Sequence, residues 1–223
     1  MGVHTYAFFD FDGTLIRGDS IVRFCRFARK KGAAGPGALI RAGWLAALYG
    51  LRFISAEKAK AGALAFLKGW TDERITPLAD AFCREELIPR LYPEGVSQLR
   101  RLRQEGARVW LVSASPDFYL KPLAKELGLD ALIATRYDPA QGCIAGNNCR
   151  GAEKVLRIAE VMAARGEEVD YAASWAFGDS RGDAPMLRLC GHKVGVNPRR
   201  GLKRALSGAD GLQIVRWHNR KEG

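Results

Sequence analysis

Apolar stretches of two kinds alternate along this chain. Short runs rich in aromatic and β-branched residues, at 5–9, 108–112, 131–135, 174–177 and 193–196, have the length and composition of buried strands. Longer stretches repeat their apolar positions at helical spacing. Ile21, Phe24, Cys25 and Ala28 follow a capping Asp19-Ser20. Then come 38–54, 56–69 and 72–86, and later 96–105, 118–127, a helix starting near Glu153-Lys154, and 184–190. Strands alternating with helices predict an α/β fold, a parallel sheet covered on both faces. From 17 to 90 the pattern is helical throughout, which predicts an all-helical cap domain inserted after the first strand. The core domain is then 1–16 plus 91–223, with a turn at 89–95 closing the insertion. Residues 136–150, with Gly142, Gly146 and Asn147-Asn148, read as a hairpin or loop.

Composition narrows the class only a little. At 223 residues, 48% hydrophobic and 26% charged, the chain has the make-up of an ordinary soluble globular protein with a sizeable core. Thirty-five Lys and Arg against 24 Asp and Glu give a formal charge of +11, which favours anionic partners: phosphorylated metabolites, acidic lipid surfaces or nucleic acid. Nucleic acid is the least supported, because the basic residues are dispersed and lack the aromatic interleaving of single-strand binders. The cysteines (Cys25, Cys83, Cys143, Cys149, Cys190) are odd in number and form no CxxC pair, which argues against a disulfide framework or zinc site. Acids at 10 and 12 and the lack of a basic leader make a cytoplasmic location the expectation. Stretch 38–54 is strongly apolar, yet Arg41 and Arg52 confine its uncharged part to 42–51, too short to span a bilayer. It reads either as a buried helix of a small bundle or as a surface for peripheral lipid contact or an apolar substrate tail. Oligomeric state is not legible.

Polar chemistry collects where strands end. Asp10 and Asp12 terminate the first run, and their i, i+2 spacing puts both side chains on one side of an extended segment. Two acids held so close call for a cation or a shared proton; a plain polar turn is the alternative. A calcium loop fits badly, since the positions that require Gly and Glu hold Leu15 and Ile21. Ser113 and Ser115 follow the second run, and Asp179 and Asp183 follow the run at 174–177. The C-terminal ends of parallel strands share one sheet edge, so the three clusters should meet there.

Asp10-Phe11-Asp12-Gly13-Thr14, a strand ending in Ser113, Lys154, and Gly178-Asp179-Ser180 followed by Asp183 resemble, in order, the four motifs of the haloacid dehalogenase superfamily of phosphohydrolases. The helical insertion is similar to the cap of its subfamily IB, the phosphoserine phosphatase-like branch. The resemblance covers 5–198 and implies a Rossmannoid three-layer sandwich. It further implies Asp10 as nucleophile forming an aspartyl-phosphate, and Asp12 as general acid and then base. Mg²⁺ would be held by Asp10, Asp179 and the main-chain carbonyl of Asp12, with Ser113, the amide of Ala114 and Lys154 on the phosphoryl oxygens. Asp183 would either ligate or orient Lys154.

The implied substrate is a small phosphorylated metabolite or a lipid headgroup phosphate. Phosphoserine phosphatases hold their substrate with an acid after the first motif, here Asp19, and a cap Arg, whose place Ala63 takes. Phosphoserine specificity is therefore one alternative. The chain is also similar to bacterial phosphatidylglycerophosphate phosphatases, which makes Trp44 and Trp70 specificity candidates beside Asp19. A phosphotransferase and a non-catalytic anion-binding protein are the remaining alternatives. Residues 16–19 and 91–95 are the expected hinges of the cap.

Overall fold

A computed structural model describes residues 3–218. The first strands are β1 (Val3–His4) and β2 (Tyr6–Phe9), followed by helices α1 (Ser20–Lys30), α2 (Gly37–Gly50), α3 (Ala56–Ala63) and α4 (Asp72–Phe82). The alternating part is α5 (Pro93–Gln104), β3 (Arg108–Pro116), α6 (Asp117–Glu126), β4 (Ala131–Asp138), β5 (Cys143–Ala145), α7 (Ala152–Arg165), β6 (Glu168–Val169), β7 (Trp175–Gly178), α8 (Ala184–Leu189) and β8 (His192–Val196). Helix α9 (Arg200–Ala205) and strand β9 (Leu212–Val215) then extend the alternation beyond Pro198, where the sequence pattern ends.

Seven strands form one sheet in the order β5-β4-β3-β2-β7-β8-β9, parallel except for the β4–β5 hairpin; β1 and β6 make a separate parallel pair. The chain runs outward from β2 to β3 and β4, then returns to the other side of β2 with β7. The order therefore reverses at the β2–β7 boundary, and a crevice opens there at the carboxyl ends of the strands.

Period-two alternation assigns the two faces. Tyr6 and Phe8 pack with Trp110 and Val112 against Ile158 and Met162 of α7 and Leu202 of α9. Ala7 and Phe9 face the other way with Val109 and Leu111, toward Leu99 of α5 and Leu120 of α6. Burying each large side chain contributes about 1.5–3 kcal/mol, so a one-residue slip of β2 would forfeit both layers. The second face continues into the helical insertion: Phe24 of α1 lies 5.1 Å from Phe82 and 5.4 Å from Tyr119, ring centre to ring centre.

Several boundaries differ from the sequence reading: α3 stops at Ala63, with a separate 3-10 turn at Ala65–Leu67 where the pattern predicts helix to 69, and α5 starts at Pro93, three residues before 96. Strand β3 runs on to Pro116, because Ser113 and Pro116 still pair with Ala134 and Thr135 through a register shift. Strand β4 extends to Asp138, where β5 pairs with it. Helix α2 ends at Gly50, four residues short of 54, and Arg52 beyond it adopts φ +65°.

Candidate active site

The ring of Phe9 stacks on that of Phe177 at 4.1 Å, holding β2 and β7 in register where both end. One residue on, Asp10 donates its amide to the Phe177 carbonyl at 3.0 Å. The chain then turns under Phe11, whose carbonyl accepts from the amides of Thr14 (3.1 Å) and Leu15 (2.8 Å), with Gly13 at φ +87°. This brings Thr14 Oγ1 within 3.2 Å of Asp10 Oδ2, to which it donates. Asp10 is buried, 6% exposed.

The loop after β7 closes on itself. The Ser180 amide and hydroxyl both donate to Asp183 Oδ2, at 2.9 and 2.8 Å. A β-carbon on Gly178 would lie 2.5 Å from that of Asp183, so the fold-back needs glycine there. Asp183 thereby turns Oδ1 to the ammonium of Lys154, 2.7 Å away. Lys154 sits in the first turn of α7, 1% exposed, and also donates to Asp10 Oδ1 and the Val112 carbonyl, each at 2.7 Å. All three of its protons are thus spent on protein, so a phosphoryl oxygen reaching Lys154 must displace one of these acceptors.

Asp12 leaves β2 on the same side as Asp10 but is held by other groups. Its Oδ1 accepts from the Ser20 amide (2.8 Å), and its Oδ2 from the Ser20 hydroxyl (2.9 Å) and the Ser115 hydroxyl. Tyr119 OH lies 2.8 Å from the Ser20 hydroxyl. Ser20 comes from the first turn of α1, whose N-cap is Asp19, as the sequence predicts.

A cavity of about 220 Å³ opens over these groups. Its floor is Asp10, Asp12, Ser113, Lys154, Asp179 and Asp183; its wall toward the insertion is small and apolar, with Ala42, Ala46, Ala59 and Ala63. Ala114 and Asp19 line it too. Trp44 and Trp70 do not: Trp44 is 67% exposed, and Trp70 is half-buried with Arg74 stacked 3.7 Å over its ring. Trp44 falls on the far side of α2 from Ala42 and Ala46, and Trp70, in the connection just before α4, packs against the apolar core instead of the cavity.

Several lining residues were not singled out from sequence. Lys60 is the one charge on the α3 stripe Ala56, Ala59, Lys60, Ala63, and a lone lysine among small residues at helical spacing was the available signal. Asn148 comes from the strand-to-helix loop. Arg150 donates to Tyr49 OH of α2 at 3.0 Å, and Arg199 pairs with Asp179 at 2.7 Å; neither has a local signature.

The electrostatics are lopsided. Oxygens of Asp10, Asp179 and Asp183 lie within 4.8 Å of one another, all three residues buried. Burial, with Asp183 beside it, lifts the Asp10 carboxyl to about 7. Burial also lifts Asp12 to about 7, with Asp19 adding to it, and Asp179 to about 6 despite Arg199. Burial works against ionisation of Asp183 as well, yet Lys154 and Ser180 hold it below the usual carboxylate range. Lys154, desolvated but facing Asp10 and Asp183, is held above the usual lysine range. One buried ammonium cannot neutralise three buried carboxylates. The donor set, all oxygen, tightly clustered and short of positive charge, fits a hard divalent cation.

A parallel sheet with paired acids at the switch point, a serine on the neighbouring strand end, a buried lysine and a cavity under a helical insertion defines a hydrolase of the phosphatase type. The chain belongs to the haloacid dehalogenase-like hydrolases, whose family model matches residues 7–188, and within them to the phosphoserine phosphatase-like phosphatases. It is 38% identical over 195 residues to protein CicA of Caulobacter vibrioides, covering 83% of this chain and 82% of that one. It is 28% identical over 219 residues to phosphoserine phosphatase SerB1 of Mycobacterium tuberculosis, covering 93% and 69%. A Bordetella pertussis protein of unknown function has the same fold, with a TM-score of 0.85 at 27% identity, covering 96% and 99% of the two chains. Among the described residues no helix is long and apolar enough to cross a membrane.

Proposed function

We propose that this phosphatase is a Mg²⁺-dependent phosphomonoesterase working through an aspartyl-phosphate on Asp10. The observation that carries the reading is the buried Asp10, Asp179 and Asp183 triad with Lys154 against it, at the floor of the cavity. Asp10, Asp179 and the carbonyl of Asp12, with Asp183 at hand, would hold the Mg²⁺. When bound, it supplies the positive charge that lets an anionic nucleophile approach an anionic phosphate.

The chain's own residues do the rest. A carboxylate oxygen of Asp10 attacks phosphorus, the ester P–O bond breaks, and Asp12 gives its proton to the leaving oxygen. Ser113 donates to a phosphoryl oxygen. Asp12, now ionised, takes a proton from water as that water attacks phosphorus; the P–O bond to Asp10 breaks and inorganic phosphate leaves. A carboxyl near 7 can play both parts at neutral pH. Residues 17–90 act as the cap. The antiparallel pairing of Ile16 with Leu91, and the bond from the Tyr92 amide to the Leu15 carbonyl at 2.8 Å, support two linkers that bend together.

The substrate is a small phosphorylated metabolite, phosphoserine among those to be tried. A lipid headgroup phosphate is the second reading, favoured by the exposed Ile40, Trp44, Leu51 and Phe53 interspersed with Arg41 and Arg52. The test is hydrolysis of phosphoserine, phenyl phosphate and phosphatidylglycerophosphate vesicles, with Mg²⁺ and with EDTA, by wild type and Asp10→Asn. Activity that survives both EDTA and Asp10→Asn sinks the mechanism.

A further inference from the structure

Lys60 reaches the site from the cap, and it does so through the backbone of the β3 strand end. Its ammonium donates to the carbonyl of Ala114 and to Asn148 Oδ1 (2.5 Å). The same carbonyl accepts from Thr135 Oγ1 at 2.7 Å, and Thr135 Oγ1 accepts from the Cys149 amide at 3.0 Å. At the other end of that peptide unit, the Ser115 amide donates to Ser113 Oγ at 3.0 Å. One peptide plane therefore has its oxygen in the grip of the cap and its N–H on the hydroxyl of Ser113. A hydroxyl that accepts on one lone pair keeps its proton free to donate away from that partner. A charged donor on the carbonyl also polarises the peptide and strengthens the bond its N–H makes.

We propose that Lys60 is a positioning residue: from the cap it fixes the Ala114–Ser115 peptide so that the Ser113 hydroxyl is aimed at the substrate's phosphoryl oxygen. Phosphoryl binding is thereby tied to cap closure, since α3 must be seated for the bond to exist. The inference rests on the reading of Ser113 as a phosphoryl donor. Burial brings the Lys60 ammonium down to about 8, with Asp12, Asp19, Arg150 and Cys149 the ionisable groups facing it, so the charge that holds the peptide is lost in a measurable range.

The other role open to a cavity lysine is to bind a second anionic group on the substrate, and a substrate without one separates the two. With phenyl phosphate, Lys60→Met should lower kcat about ten-fold with a smaller change in KM, and Lys60→Arg should restore most of it. In a Ser113→Ala background, Lys60→Met should add less than about two-fold, because the group it positions is gone. Thermal midpoints of all variants identify any that fail to fold, and Lys60→Arg carries the test if Lys60→Met is one of them. The inference is overturned if Lys60→Met leaves phenyl phosphate turnover intact and raises KM only for substrates with a second anion, or if the Lys60 and Ser113 losses simply multiply. If wild type hydrolyses none of phosphoserine, phenyl phosphate and phosphatidylglycerophosphate while every variant folds, the phosphomonoesterase reading of the site fails, and the inference with it.

Discussion

Gly13 faces Asp179 so closely that a β-carbon at position 13 would lie 2.3 Å from the Asp179 Oδ2. The backbone there is also left-handed, at φ +87°. Gly13→Ala therefore meets two obstacles, a conformation costing roughly 1 kcal/mol or more and a carboxylate that must move out of the acid triad. We expect the variant to fold and to lose most of its Mg²⁺-dependent activity. The checks are phenyl phosphate turnover and the rise in Tm on adding Mg²⁺. Unchanged Mg²⁺ stabilisation would mean that Asp179 does not serve the metal.

The raised acids set a pH dependence with a definite sign. Asp10, Asp12 and Asp179 titrate at about 7, 7 and 6 in the fold, against 3.8 ordinarily. A carboxyl whose pKa rises on folding favours the native state at low pH, and that contribution is lost as pH climbs through the folded pKa. Asp183, held low by Lys154, runs the other way but stands alone. The metal-free protein should lose stability from these groups between about pH 4 and pH 7. Mg²⁺, by neutralising the triad, should raise Tm more at about pH 8 than at about pH 5.5. Melts in EDTA and in Mg²⁺ at both pH values check this; an equal Mg²⁺ effect would contradict it.

Lys154 is the sole buried counter-charge of Asp10 and Asp183 in the ion pairs seen among the described residues. Lys154→Met leaves both carboxylates buried without it, and breaking one side of such a pair costs about 3–5 kcal/mol. Urea denaturation should show a loss of that order in metal-free protein. Adding Asp183→Asn should recover part of the stability and none of the activity. Full recovery of activity in the double variant would remove Lys154 from the mechanism.

The part of the site that could be read from the chain is the part made of contiguous segments. Asp10 and Asp12, Ser113 and Ser115, and Asp179 and Asp183 each follow an apolar run, and strand ends converge by topology, so local pattern was enough to gather them. Lys60, Asn148, Arg150 and Arg199 reach the cavity only because α3, the loop before α7 and the segment before α9 fold over it; the small-residue stripe around Lys60 is the one local hint, and no short-range pattern marks the other three. Trp44 and Trp70, candidates through the likeness to lipid-phosphate phosphatases, do not line the cavity: Trp44 lies on α2 opposite Ala42 and Ala46, whose small side chains leave room for a substrate, and Trp70 packs against the core before α4. The alternation past Pro198 is hidden because α9 is short and largely basic, and β9 is a four-residue edge strand with exposed positions.

Asp12 accepts hydrogen bonds from Ser20 and Ser115, and its carboxyl titrates near 7. As general acid, its worth depends on how badly the leaving group needs a proton. A nitrophenolate leaves almost unaided, whereas an alkoxide does not. Asp12→Ala should therefore cost about 10²–10⁴-fold in turnover on an alkyl phosphate and far less in the aryl cleavage step, read as the burst of nitrophenol. Ser115→Ala, which removes one of the bonds orienting Asp12, should show the same asymmetry at about ten-fold. Comparing alkyl and p-nitrophenyl phosphates across wild type and both variants is the check. Equal losses on the two esters would take the leaving-group proton away from Asp12 and leave it as the base of the second step alone.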